Sequence, residues 1–225
     1  MNIVIKGAGD LATGIGWRLK RAGYNVWMTD IEVPTSVRRT VAFSRCIYET
    51  KAEIEGVTAF CVSNRQEAEV IIQQGGIPVL VDPDAHIVEE IKPDVVVDAI
   101  IAKKNLGTKM SDAPLVIGVG PGFCAGEDCH KVIETKRGHY LGRVIDKGSA
   151  IPNTGVPGDI GGYTVERIIR AASDGEFEPK AAIGDMVSLG QMVACSGGIP
   201  IYAQMSGIVR GMLQHYIQHR PMTWT

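Results

Sequence analysis

Ile3-Val4-Ile5-Lys6-Gly7-Ala8-Gly9-Asp10-Leu11-Ala12 decides the fold. A short apolar run ends in closely spaced glycines. Leu11, Ile15, Leu19 and Ala22 then recur at helical spacing up to Gly23. Asn25-Val26-Trp27-Met28-Thr29-Asp30 reads as a second strand ending in an acid. Strand, Gly7-x-Gly9-x-x-Ala12 loop, helix, strand and acid, in that order, is the arrangement of a dinucleotide fingerprint. Gly7 permits the tight turn, Gly9 lets backbone approach a pyrophosphate, and Ala12 keeps the helix close to the sheet. The helix start offers unpaired N–H groups and the positive end of its dipole to phosphate. Asp30 is placed to accept ribose hydroxyls and to disfavour a 2′-phosphate, so NAD-like ligands are expected over NADP. Asp10 is the awkward member, because an acid in the loop repels phosphate.

Outward from this stretch, strand-like and helix-like segments alternate. Val57 to Val62, Ile77 to Val81, Val95 to Val97 and Leu115 to Ile117 read as strands. Gln66 to Gln74 and Ile87 to Ile91 read as helices. Strands apolar on both faces, separated by helices, indicate an α/β chain with a Rossmann-like parallel sheet. The character changes near Gly118, so a Rossmann-like domain is expected over 1–120 and a β-rich unit over 121–225. Within the second part, Val132 to Ile145 reads as a hairpin around Lys136-Arg137-Gly138-His139. Tyr163 to Ala172 reads as a helix, and Ala181 to Leu213 as short strands joined by glycine turns. Gly184-Asp185-Met186-Val187 and Gly207-Ile208-Val209-Arg210 are weakly similar to each other.

Composition narrows the function classes. The 225 residues carry 23 Lys+Arg against 25 Asp+Glu, a net charge of -2. That argues against nucleic-acid binding by bulk basicity. Five cysteines without a CxxC, and a start unlike a signal peptide, fit a reducing cytoplasm. The most apolar stretch, Val95 to Ala102, is short and broken by Asp98, so no membrane span is expected. Glycine is in excess, 27 of 225 residues, against an average of about 7%.

The candidate cofactor contacts are Gly7, Gly9, Asp10, Leu11, Ala12 and Asp30, with Arg38 and Arg39 just beyond the second strand. Arginine forks suit phosphate, although paired arginines also serve as a solvated face. Candidate substrate contacts are Asp98 and Lys103 after a buried strand, Gly120 and Gly122, and the titratable run His130, Glu134, Arg137 and His139. Long glycine loops carrying charges usually bind or catalyse. Cys124, Cys129 and His130 match no zinc spacing, so no metal is expected. No catalytic residue is assigned, and whether the protein is an enzyme stays open.

Five segments carry a resemblance: Ile5 to Gly14, Arg38 to Phe43, Gly120-Pro121-Gly122-Phe123, Ile133-Glu134-Thr135-Lys136-Arg137-Gly138-His139 and Asn153-Thr154-Gly155. Together they resemble the YqeB-type accessory proteins of the selenium-dependent molybdenum hydroxylase system. The resemblance implies a role in maturing such hydroxylases. It implies a Rossmann-like N-terminal domain and a hydroxylase client as partner; with the Gly7 loop, the expected ligand is NAD or another dinucleotide, including a molybdopterin dinucleotide. A homo-oligomer is compatible with it. Alternatives are an NAD-dependent oxidoreductase, with His130 or His139 as proton donor, and a non-catalytic Rossmann-like interaction module.

Gly184 to Ala194 and Ile201 to Val209 resemble the barrel-sandwich fold of biotinyl and lipoyl carriers. No lysine follows Lys180, so carriage of a cofactor on lysine is not expected. His215 to Thr225 is unlike a closing strand, and the last unit is read as truncated.

Overall fold

A computed structural model describes residues 1–215. The reading of 216–225 as a non-closing tail lies outside the described residues. In chain order the elements are β1 (Asn2–Lys6), α1 (Asp10–Arg21), β2 (Asn25–Asp30), α2 (Cys46–Glu49), β3 (Lys51–Ile54), β4 (Val57–Val62), α3 (Arg65–Gln73), β5 (Ile77–Val81), α4 (Ile87–Ile91), β6 (Val95–Asp98), β7 (Leu115–Val119), β8 (Cys124–Ala125), β9 (Lys131–Ile133), β10 (Val144–Ile145), β11 (Gly148–Ser149), β12 (Phe177–Pro179), β13 (Met186–Val187), β14 (Met192–Ser196), β15 (Ile199–Tyr202) and β16 (Gly207–Ile208).

The chain is α/β, with one large mixed sheet of nine strands in the order β10-β9-β7-β6-β1-β2-β5-β4-β3. The strands from β9 to β4 in that order run parallel, while the edge pairs β10–β9 and β3–β4 are antiparallel. Alternate residues of each inner strand feed opposite faces. Ile3, Ile5, Val26 and Met28 join one core, and Val4, Trp27, Leu80, Val96 and Val116 the other. This two-sided burial is why the inner strands read as continuous apolar runs. Gly16 lets α1 close on the sheet: a Cβ there would stand 3.1 Å from Met28 Sδ and 3.4 Å from Ile5 Cδ1.

Two compact units result, Met1–Pro34 with Val41–Thr154, and Thr35–Thr40 with Gly155–Thr225. The boundary expected near 120 therefore falls inside the first unit, because β9 continues its sheet in parallel with β7. The β3–β4 hairpin has little sequence signal at its first strand. Lys51-Ala52-Glu53-Ile54 has three polar or small residues and no strong β-formers before Ile54.

In the second unit, β12, β14 and β15 form an antiparallel sheet, and β13 pairs antiparallel with β16. The two weakly similar segments thus meet, Met186 opposite Ile208 and Val187 opposite Gly207. Val187, Val193, Ala194, Ile201 and Ala203 form its small core. The helix expected over Tyr163 to Ala172 does not form; a single 3-10 turn occupies Val165–Arg167. Val165, Ile168 and Ile169 are 59%, 41% and 41% exposed, so no packed face repays helix formation.

Candidate functional site

The sheet changes direction at β1. From β1 the chain moves to β2 on one side, and after β5 it returns to β6 on the other. Loops leaving β1 and β6 at their carboxyl ends diverge there, which is where open α/β sheets bind ligands. The Gly7–Asp10 loop, Asp98 and the segment 99–108 all lie at this point. Gly120 to Gly122 follow β7, and Glu134 follows β9, at the same edge.

The glycine loop is tightly determined. Gly7 has φ +95°, and a Cβ would lie 3.0 Å from Ala99 O and 3.1 Å from Ile100 Cα, so only glycine fits. Its N–H donates to Thr29 O at 2.8 Å. Asp30 Oδ2 accepts the Ala8 N–H at 2.9 Å, and Oδ1 accepts the Ile31 N–H at 2.8 Å. Burial pushes the Asp30 carboxyl above its ordinary pKa, partly offset by these backbone donors. Ala8 O accepts from Ser44 N at 2.9 Å and from Thr13 Oγ1 at 3.2 Å, and Thr13 Oγ1 accepts the Phe43 N–H at 2.8 Å. Thr13 and the Phe43-Ser44 turn are therefore parts of the loop's scaffold that the sequence pattern did not single out.

Gly9 differs from Gly7. It is the N-cap of α1 with φ −65° and ψ −178°, a conformation open to any residue. Ala12 is fully buried against the sheet, and Leu11 is 45% exposed. Asp10 is the first residue of α1, where its charge complements the helix dipole.

The central glycines make close approaches. A Cβ on Gly122, at φ +112°, would lie 2.5 Å from Lys104 N, and one on Gly120, at φ +83°, 2.8 Å from Thr135 Oγ1. Three loops are thus pressed together: 103–104, 120–122 and 134–137. Ile101 and exposed Lys103 hold positive φ of 61° and 62°, a costly conformation for residues other than glycine.

Asp98 is 2% exposed. Its Oδ2 accepts from Thr108 Oγ1 at 2.6 Å and its Oδ1 from Ile100 N at 3.2 Å. Glu134, also 2% exposed, is a structural hub, with Oε1 on Lys136 N and Oε2 on Ile151 N, each at 2.8 Å. Burial alone would raise its pKa. The N–H groups of Ile151, Lys136 and Thr135, and the Lys136 charge, outweigh that and hold it below the ordinary carboxylate range.

His130 lies at the other end of β9 from Glu134. It precedes β9 and so stands at the opposite edge of the sheet, where Nδ1 accepts the Val116 N–H at 3.0 Å and its own backbone N–H donates to Val116 O at 2.9 Å. Its ring extends the β7–β9 ladder. Arg137 and His139 are exposed on the loop after β9, with His139 edge-on to Tyr140 at 5.2 Å. Arg38 and Arg39 fall in the segment assigned to the second unit. There Arg39 donates from Nε to Met212 O at 2.7 Å and from Nη1 to Gln214 Oε1.

A concavity of about 380 Å³ lies at the carboxyl ends of β4 and β5 and includes Ser63, Arg65, Asp82 and His86. Its polar groups mostly serve helix ends. Asn64 Oδ1 caps α3 by accepting the Glu67 N–H, Glu67 Oε2 accepts the Ser63 N–H, and Asp82 accepts the N–H groups of His86 and Ile87. Among the described residues, no cluster of three or more His, Cys, Asp or Glu is placed to hold a metal, and no helix is long and apolar enough to cross a membrane.

The chain is similar to the uncharacterized protein YqeB of Escherichia coli (strain K12), with 48% identity over 211 residues. The match covers 94% of this chain and 39% of that protein, so the chain spans about two fifths of the relative's length. No protein-family model and no solved structure matches the chain.

Proposed function

We propose that this chain binds a dinucleotide at the carboxyl edge of β1 and β6, either NAD or a dinucleotide form of the molybdenum cofactor. We propose further that it serves as an accessory protein in maturing selenium-dependent molybdenum hydroxylases. The observation that carries the binding reading is the Asp30-clamped Gly7–Asp10 loop, set at the start of α1 and at the point where strand order reverses. The order β4-β5-β2-β1-β6-β7-β9 supports a Rossmann-like sheet, since β1 and β6 meet at the reversal with β2 and β5 on one side and β7 and β9 on the other, as in dinucleotide-binding folds, although β4 is an added parallel strand beyond β5. Gly9 supports it too: backbone conformation does not require glycine there, while close approach of a pyrophosphate does. Each Asp30 oxygen accepts one N–H and keeps a lone pair for a ribose hydroxyl. The β13–β16 pairing supports a barrel-sandwich-like second unit. The maturation role rests on the family resemblance and on the similarity to YqeB, whose name assigns it no activity.

An NAD-dependent oxidoreductase needs a proton donor at the nicotinamide. With His130 at the far edge, His139 is the remaining histidine of the two considered. A thermal-shift series with NAD, NADP, AMP, CTP and molybdopterin dinucleotides tests the proposal. Dinucleotides are expected to raise Tm through mass action. No shift with any of them would leave the interaction-module reading. A shift with NAD, together with absorbance change on a hydroxy or aldehyde substrate, would favour the oxidoreductase.

A further inference from the structure

Lys6 and Asp98 are the last residues of β1 and β6 and stand opposite each other in register. Lys6 is 7% exposed and Asp98 2%. Thr108, also 2% exposed, bridges them: its Oγ1 accepts from Lys6 Nζ at 2.8 Å and donates to Asp98 Oδ2 at 2.6 Å. Asn105 fixes the bridge, accepting the Thr108 N–H at 2.8 Å and donating to Thr108 O at 2.9 Å.

A lysine ammonium carries three N–H donors. Among the described residues, Thr108 is the hydrogen-bond partner of Nζ, so two donors on a buried charge are left over. Leaving such donors unmatched is costly. Packing alone does not call for an ammonium here, since a buried charge is costly unless it is fully partnered. The position is also specific: these two strand ends flank the reversal point and adjoin the Gly7 loop.

We propose that Lys6 is the anion anchor of this crevice, its ammonium donating to a phosphate or carboxylate oxygen of the bound molecule, with Thr108 and Asp98 as the residues that position it. The inference rests on the reading of the β1–β6 edge as the ligand site, and deepens it by naming the group that meets the ligand's charge.

The test uses the full chain labelled with 15N-lysine, the Lys6 Nζ signal being identified by its loss in Lys6→Arg. NAD, inorganic pyrophosphate and acetate are the probes, and acetate separates carboxylate from phosphate recognition. The Lys6 signal is expected to move in a saturable way. Lys6→Met/Asp98→Asn, which leaves no lone buried charge, is expected to weaken binding of the effective probe roughly ten- to a hundredfold. Lys6→Arg should restore part of the loss, and Thr108→Val should weaken binding less. Unchanged affinity in the double variant, with an unmoved Lys6 signal in the wild type, overturns the inference and leaves the loop reading standing. Absence of binding by the wild type to every probe overturns both. Should the double variant not fold, the wild-type Lys6 signal decides alone.

Discussion

Asp30 Oδ2 accepts the Ala8 backbone N–H at 2.9 Å, so the carboxylate that ends β2 clamps the glycine loop that ends β1. The same carboxylate holds the Ile31 N–H. Asp30→Asn can satisfy one of these two donors with its carbonyl and presents an amide to the other. A loss of about 1–3 kcal/mol is expected, read by urea denaturation, together with weaker dinucleotide binding. A variant that keeps wild-type affinity would show that the clamp has no part in binding.

Glu134→Gln should lose a similar amount, about 1–3 kcal/mol, because the Lys136 and Ile151 N–H groups each point at a carboxylate oxygen. The two carboxylates should respond to pH in opposite directions. The folded pKa of Glu134 lies below its ordinary 4.5, so its stabilisation is present above that value and is lost as pH falls through the folded pKa. That of Asp30 lies above 3.8, so its ionised form subtracts stability near neutrality, and the penalty disappears as pH falls through the folded pKa. Between about pH 7 and about pH 3.5, the gap between wild type and Glu134→Gln should narrow. The gap between wild type and Asp30→Asn should move in favour of wild type. Parallel trends would contradict the assignment.

The glycines should sort by what surrounds them. Gly122→Ala meets Lys104 backbone at 2.5 Å with φ +112°, whereas Gly126→Ala, at φ +94°, meets open space. The first should cost about 1–3 kcal/mol more than the second in thermal or urea unfolding. Equal costs would mean that the 103–104 and 120–122 loops are not pressed together.

Gly14 lies inside α1, and a Cβ added there would meet no atom within 4 Å. Gly14→Ala should stabilise by about 0.5–1 kcal/mol and leave ligand binding unchanged, since the residue belongs to the helix and not to the Gly7–Asp10 loop. A loss of stability on thermal or urea unfolding would contradict this placement.

The first unit was largely legible because its information is local. Apolar runs marked β1, β2 and β4 to β7, and glycine spacing placed the loop at the start of α1. What was illegible depends on distant partners. His130 reads with Glu134, Arg137 and His139 as part of one candidate substrate-facing loop, and only β7 supplies the Val116 N–H that engages its ring. Glu134 reads as a ligand contact on a charged loop, and the Ile151 N–H that anchors it returns from seventeen residues on. Lys6 passes for an ordinary strand-end lysine, because Thr108 reaches it across 102 residues of chain. The 163–172 helix fails for the converse reason: its apolar spacing is present, but Val165, Ile168 and Ile169 remain exposed.

The most direct measurement of the central claim is an amide chemical-shift map of the chain on addition of NAD or a molybdopterin dinucleotide. The largest changes should fall on Gly7 to Ala12, with Asp30 and the segment after Asp98 following. Changes centred instead on the Ser63–Asp82 concavity, or none at all with either ligand, would contradict the account.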